Sequence, residues 1–127
     1  LEFRRVLFRS KGGSPTHGAG AAKYAKDNFG AIQGQSRGLQ GQSYAIVTNK
    51  YYDVEKSSTP QEIIKEIQNL YEFAKQNPNK EFLISDYSEN NLNGYTGQEM
   101  ADMFSNAGII PSNIIFNENF NELINNK

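Results

Sequence analysis

The chain has 127 residues, 37% hydrophobic and 21% charged, with a net charge of −1, no cysteine and one histidine. This length fits one domain with one core, and the near-neutral charge excludes a basic field that would attract nucleic acid. Without cysteine there is no disulfide or thiolate site, one histidine cannot build a zinc site without carboxylates, and no apolar run reaches membrane-spanning length. We therefore expect a soluble, intracellular protein without metal, cofactor, nucleic-acid or membrane partner.

The first ten residues, LEFRRVLFRS, differ from the rest of the chain and hold three of its arginines. The string resembles a translated sequencing-adapter scar. We interpret residues 1–10 as a non-native segment and residues 11–127 as a single ligand-binding domain. Val6, Leu7 and Phe8 still suit a strand, and one is predicted at residues 5–9, at an edge or in the centre of a sheet. We assign no functional role to this segment.

Eight of the eleven glycines lie between Gly12 and Gly41. After a loop at residues 10–17, the tightest cluster opens an alanine-rich segment that predicts a helix at residues 18–28. A glycine-rich turn at a helix N-terminus offers N–H groups and the positive end of the helix dipole to an anion. A flexible loop before a closely packed helix explains the glycines equally well. His17, beside the cluster, could contact a phosphate or ribose, act as a base, or cap the helix.

Residues 31–42 predict irregular structure because glycine recurs there. The segment also concentrates amide side chains, at Gln33, Gln35, Gln40 and Gln42. An amide donates and accepts at once, so these residues could read ribose hydroxyls and base edges, although solvated loop polarity is the alternative. A mostly buried strand is predicted at residues 43–48.

Two helices with capping boxes are predicted in the second half. Thr59 with Glu62 marks the first start, and Thr96 with Glu99 marks the second. The first helix has Pro60 at its first position and ends at residues 77–79. Its inner face comprises Ile63, Ile67, Leu70 and Ala74, with Ile64 and Tyr71 beside them. The second helix has an inner stripe of Met100, Met103, Phe104 and Ala107, and ends with Gly108 at C′.

Strands are predicted at residues 81–85, in the centre of the sheet, and at 113–116. A short terminal helix at residues 120–124 turns Phe120, Leu123 and Ile124 inward. Alternating strands and helices predict an α/β fold with a largely parallel sheet. Ligands bind such sheets at the carboxyl ends of the strands, and the loops at residues 10–20 and 86–96 have that position.

The second loop ends in a polar, glycine-bearing turn formed by Asn91, Leu92, Asn93, Gly94 and Tyr95. Gly94 permits a turn whose N–H groups converge on an anion. Tyr95 could stack on a base or a sugar, or it could cover the core. Asp86 and Glu89 form a carboxylate pair for which surface placement is the favoured interpretation. A Walker A motif, a dinucleotide fingerprint and a serine-hydrolase elbow are absent from the sequence.

This order of elements resembles a macrodomain, the ADP-ribose-binding α/β/α fold. Residues 18–21 match its first glycine loop, and residues 92–95 match the turn that wraps the diphosphate. A closer likeness is to a family of small phage non-structural proteins, carried by HGAGAA at 17–22, FGA at 29–31, GLQGQSYAIVT at 38–48 and GY at 94–95. Asn91 stands where that family usually has glycine. The resemblance implies a three-layer, Rossmann-like α/β/α fold with a central, largely parallel or mixed sheet.

The resemblance further implies a phage protein in the cytoplasm of the infected bacterium. It would bind and sequester an ADP-ribose-derived immune signal, such as a cyclic ADP-ribose isomer or an ADP-ribose conjugate. The expected ligand-binding residues are His17, Gly18, Ala19, Gly20, Ala21, Gln40, Gln42, Ser43, Asn91, Leu92, Asn93, Gly94 and Tyr95. A site shared within a homo-oligomer is compatible with this function.

Two other functions stay open. The asparagine that assists hydrolysis in catalytic macrodomains has no counterpart here, which argues against an enzyme, and we assign no catalytic residue. An ADP-ribosyl hydrolase or nucleotide phosphoesterase would use His17 or Asp86 as its base. A phage protein-interaction module would bind a host protein and no nucleotide.

Overall fold

The computed structural model describes residues 2–10, 38–40, 43–49, 56–84 and 94–125. These residues form a mixed α/β fold, which confirms the predicted class. The strands are β1 (Glu2–Ser10), β2 (Gly38–Gln40), β3 (Ser43–Asn49), β4 (Lys80–Ile84) and β5 (Ile114–Ile115). The helices in these ranges are α1 (Pro60–Gln76), α2 (Gly97–Asn106) and α3 (Glu118–Asn125). The helix predicted at 18–28 lies outside the described residues.

The sheet has the strand order β2-β3-β1-β4-β5, so β1 is its central strand. β1 pairs in parallel with β3 and with β4, and β4 pairs in parallel with β5. Val6 lies opposite Tyr44 on one side and Ile84 on the other, and it is fully buried. The predicted strand at residues 5–9 is thus confirmed, but it is longer at both ends and is central rather than at an edge.

β2 corrects one sequence-based prediction. Residues 31–42 were expected to be irregular throughout, yet Gly38–Gln40 pairs antiparallel with β3. The register places Leu39 opposite Tyr44 and Gln40 opposite Ser43. Strand formation depends on a partner more than on intrinsic preference, and β3 supplies that partner at a glycine-bearing segment. The sheet is therefore mixed, with one antiparallel pair at this edge.

The capping box predicted for α1 is confirmed. The backbone N–H of Thr59 donates to Oε1 of Glu62 at 2.9 Å, and the N–H of Glu62 donates to Oγ1 of Thr59 at 3.2 Å. Each of these bonds satisfies an N–H that the first turn of a helix leaves without an internal acceptor. The buried face of α1 comprises Ile63, Ile67, Leu70, Tyr71 and Ala74, as the periodicity predicts.

α2 begins with the same kind of capping box as α1, and a glycine follows its end. Thr96 and Glu99 exchange the same two bonds, at 2.9 and 3.1 Å. Gly108 follows the C-cap with a φ of +126°, which confirms its predicted C′ position. The hydroxyl of Tyr71 on α1 donates to the carbonyl oxygen of Phe104 at 2.6 Å. This bond satisfies one of the last carbonyls of α2 and joins the two helices.

Two groups of aromatic rings occupy the core. Tyr44, Phe73 and Phe82 pack between β3, α1 and β4, with ring centroids 5.2–6.2 Å apart. The second group has centroids 5.3–5.6 Å apart and connects α2 with α3 through Phe104, Phe116 and Phe120. Most of these pairs are edge-to-face, an arrangement that the ring quadrupole favours. The terminal helix predicted around Phe120 is therefore held by its aromatic inner face.

Asn113 lies at the end of the sheet where β4 and β5 begin. Its Nδ2 lies 2.9 Å from the carbonyl oxygen of Ala74, 3.2 Å from that of Asn77 and 3.0 Å from that of Lys80. The backbone carbonyl oxygen of Asn113 accepts the N–H of Phe82 at 2.8 Å. One side chain thus joins the end of α1, the turn into β4 and the start of β5. We call this end of the sheet the amino edge, and the opposite end the carboxyl edge.

Among the helices that the structure describes, none combines the length and apolar character needed to cross a membrane.

Candidate functional site

The strand order identifies one candidate position for a ligand at the carboxyl edge, between β1 and β4. From β1 the chain proceeds to β3 on one side, and it later crosses to β4 on the other side of β1. Strand order therefore reverses between β1 and β4. In open parallel sheets such a reversal leaves a crevice at the carboxyl ends, where ligands bind. The two loops predicted to bind a ligand follow in sequence the strands that flank this reversal, β1 ending at Ser10 and β4 at Ile84.

Two strand–helix connections meet at the carboxyl edge. The hydroxyl of Tyr95 donates to the carbonyl oxygen of Ser58 at 2.7 Å. Ser58 directly precedes the N-cap of α1, and Tyr95 directly precedes the N-cap of α2. Both residues are buried, with 3% and 6% of their surface exposed. The starts of the two helices are thus joined by a hydrogen bond between residues 37 positions apart.

Lys56 adds a positive charge to this junction. Its Nζ lies 5.4 Å from the centroid of the Tyr95 ring, within the range of a cation–π contact. The side chain is exposed, and the backbone adopts a φ of +53°, a left-handed conformation that is uncommon for a residue other than glycine. The β3–α1 connection thus contacts both the face and the hydroxyl of Tyr95.

Burial, hydrogen bonding and nearby charges at this junction shift the pKa values of two groups. Burial raises the pKa of Tyr95, and the nearby negative charges of Glu99 and Glu62 raise it further. The hydroxyl therefore stays protonated at neutral pH and remains a donor. The pKa of Glu99 is lowered, mainly because its carboxylate accepts the Thr96 N–H, with Lys56 contributing. This capping contribution to stability is present at neutral pH and is lost as the pH falls through the lowered folded-state pKa.

The N-termini of α1 and α2 are each already hydrogen-bonded to a glutamate carboxylate of the protein itself. Glu62 accepts the N-cap N–H of α1, and Glu99 accepts that of α2. A ligand anion would compete with these groups at the N-caps. Contact through the backbone ahead of Thr96 avoids this competition, and Gly94 in that segment has a φ of +81°, which glycine adopts readily.

The structure does not bring all the predicted ligand-binding residues together. Gly94 and Tyr95 lie at the carboxyl edge, beside the start of α2. Gln40 and Ser43 pair with each other where β3 begins. A strand rises about 3.3 Å per residue, so the length of β3 sets Ser43 about 20 Å from the end of that strand at Asn49. These two residues are therefore remote from the junction of Tyr95 with Ser58.

The other predicted site residues lie outside the described residues. In the first loop these are His17, Gly18, Ala19, Gly20 and Ala21. Further along the chain they are Gln42, Asn91, Leu92 and Asn93. The carboxylate pair Asp86 and Glu89 also lies outside the described residues.

Lys56 and Ser58 were not singled out from the sequence. The position of Ser58 carried a signal, because this residue stands directly before a capping box in the connection that follows a buried strand. Tyr95 stands at the same place before the second capping box. Comparing the residues directly before the two capping boxes would have selected Ser58, whereas no such signal marks Lys56.

No family model, curated protein or solved structure matches this chain. Within the described ranges, no group of three or more His, Cys, Asp and Glu residues is placed to hold a metal ion. Support for a function therefore comes from the topology and contacts of the carboxyl edge.

Proposed function

We propose that this protein binds an ADP-ribose-type nucleotide at the carboxyl edge, between the ends of β1 and β4, and sequesters it without turnover. The observation that carries the proposal is the reversal of strand order between these two parallel strands. Each of the two strands is followed in sequence by a glycine-bearing loop. The proposal includes the three-layer, macrodomain-like α/β/α arrangement, in which the alanine-rich segment at residues 18–28 packs as a further helix.

The diphosphate would lie between the two loops. The first loop would contribute backbone N–H groups of Gly18, Gly20 and Ala21 together with His17, and the second would contribute those of Asn93 and Gly94. The positive φ of Gly94 supports a turn of this kind. Gln40 and Ser43 are left out of the proposed site because they lie where β3 begins.

The proposed biological role follows from the resemblance to small phage proteins. A phage protein in the cytoplasm of the infected bacterium would capture a nucleotide signal made by an immune enzyme of the host. Capture lowers the free signal by mass action, which requires tight binding and release of unchanged ligand. Catalysis is not part of the proposal.

Isothermal titration calorimetry with ADP-ribose and its cyclic isomers tests the proposal directly. We expect binding heat at micromolar protein with at least one of them, and chromatography after denaturation of the complex should return the ligand intact. Absence of heat with every one of these nucleotides would refute nucleotide binding. New products in the chromatogram would instead support the hydrolase.

Two glycines that flank α2 provide a matched pair of variants. Gly94→Ala and Gly108→Ala each place a side chain at a positive φ, which costs about 1–3 kcal/mol in stability. A Cβ on Gly108 would meet nothing within 4 Å, so its cost is conformational alone. We expect Gly94→Ala to weaken nucleotide binding about tenfold, equal to about 1.4 kcal/mol, whereas Gly108→Ala binds as the unmodified chain does. Equal effects of the two substitutions on affinity would contradict a contact at the turn before α2.

A further inference from the structure

We propose that Tyr95 is a positioning residue that holds the backbone at Gly94 against the residues before α1, so that residues 56–59 and 94–97 move as one unit. The Tyr95 hydroxyl supplies the link, through its hydrogen bond to the carbonyl of Ser58. The consequence for the ligand rests on the proposed function, because Gly94 is there assigned to the nucleotide site. The mechanical link itself stands independently of any ligand.

The burial of Tyr95 separates this role from stacking on a ligand. A ring that stacks on a base needs one exposed face, and Tyr95 exposes only 6% of its surface. Its neighbours in sequence, Gly94 and Thr96, are half-buried and exposed. The side chain therefore points into the protein while the backbone beside it reaches the surface at the start of α2.

Two contacts from the same connection hold the ring. Ser58 accepts its hydroxyl hydrogen at 2.7 Å, and Lys56 lies over its face at 5.4 Å from the centroid. Both residues belong to the short segment between the described end of β3 and the N-cap Thr59. The hydroxyl bond is buried, so water does not compete for it readily. A movement of the Gly94 backbone away from α1 would have to break both contacts.

Tyr71 provides a matched control within the same chain. It is also buried, with 3% exposed, and its hydroxyl also donates to a backbone carbonyl of another element, that of Phe104 at 2.6 Å. That bond lies at the opposite end of α2. Tyr71→Phe and Tyr95→Phe therefore remove hydrogen bonds of the same type, but only one of these bonds joins the two connections.

Amide hydrogen exchange of the full chain, without ligand, tests the mechanical link. Tyr95→Phe should accelerate exchange about tenfold in residues 56–59 and 94–97 together, because the two segments open once their link is removed. Tyr71→Phe should leave those segments unchanged and accelerate exchange near Phe104 instead. Unchanged exchange in Tyr95→Phe, or equal acceleration of those segments by both variants, would overturn the proposal.

Calorimetry with ADP-ribose tests the consequence for binding. Tyr95→Phe should weaken binding about tenfold, and Tyr71→Phe by less than about twofold. If the unmodified chain binds ADP-ribose and Tyr95→Phe binds it as tightly, Tyr95 has no positioning role in the site. If the unmodified chain binds neither ADP-ribose nor its cyclic isomers, the proposed function fails, and the exchange experiment still decides whether Tyr95 links the two connections.

Discussion

Removal of residues 1–10 is expected to abolish the cooperative unfolding transition of this chain. These residues include all of β1, the central strand, which pairs with β3 on one side and β4 on the other. Without it, β3 and β4 lose their shared partner and Val6 leaves the core. Thermal unfolding followed by circular dichroism would show a broad, non-cooperative change instead of one sharp transition.

A replacement variant separates the need for a strand from the need for this particular segment. Residues 2–5 and 7–10 are exchanged for other strand-forming residues while Val6 is kept. We expect this variant to unfold cooperatively, because backbone pairing does not depend on side-chain identity and Val6, which is fully buried, is retained. A sharp transition in the chain that lacks residues 1–10 would contradict the central position of β1. The segment that resembles an adapter scar would then be dispensable for the fold.

Asn113→Asp is expected to lower the free energy of unfolding by about 3 kcal/mol. The substitution keeps the size of the side chain but replaces its amide donors with acceptors. The new carboxylate would face the carbonyl oxygens of Ala74, Asn77 and Lys80, which now accept from Nδ2 at 2.9–3.2 Å. Urea denaturation at neutral pH measures the loss. The loss should shrink at acidic pH, because protonation restores one donor.

Asn79→Asp is the control for this experiment. Asn79 lies in the same turn between α1 and β4, but its side chain is exposed. The same chemical change there should alter stability by less than about 0.5 kcal/mol, as surface substitutions usually do. Equal losses in the two variants would show that added negative charge, and not the bonds of Asn113, determines stability at the amino edge.

Local signals in the sequence were sufficient to predict α1 and α2. Each start depends on a threonine and a glutamate three residues apart, and these groups bond to each other across one helical turn. Hydrophobic periodicity was likewise sufficient to identify the buried faces, including Phe104 and Ile67. Interactions within one turn of a helix are determined by neighbouring residues, so the sequence around them carries the information.

Contacts between distant residues were not predictable in this way. β2 forms only because β3 is beside it, and its glycine-bearing segment has no strong strand preference of its own. The bonds from Tyr95 to Ser58 and from Asn113 to Ala74 span 37 and 39 residues. Such partners depend on how the elements assemble, and a single sequence contains no direct record of that.

The candidate site likewise has parts that the sequence could predict and parts that it could not. Alternation of strands and helices was enough to predict that the loops after β1 and β4 follow carboxyl strand ends, because that follows from chain direction in a parallel sheet. Gln40 was grouped with these loops because its amide suits a nucleotide, and Ser43 was added by resemblance. Ser43 opens the strand predicted at residues 43–48, so chain direction alone sets it at the opposite end of that strand, whereas the place of Gln40 depends on the pairing of β2 with β3.

Amide chemical shifts during a titration with ADP-ribose and its cyclic isomers distinguish a nucleotide site at the carboxyl edge from one elsewhere, since they report both binding and location. We expect saturable changes at Ser10 and at residues 94–97, with little change at Gln40, Ser43 and residues 77–80. Absence of change with every nucleotide at millimolar concentration, or changes confined to the amino edge, would contradict a nucleotide site between the carboxyl ends of β1 and β4.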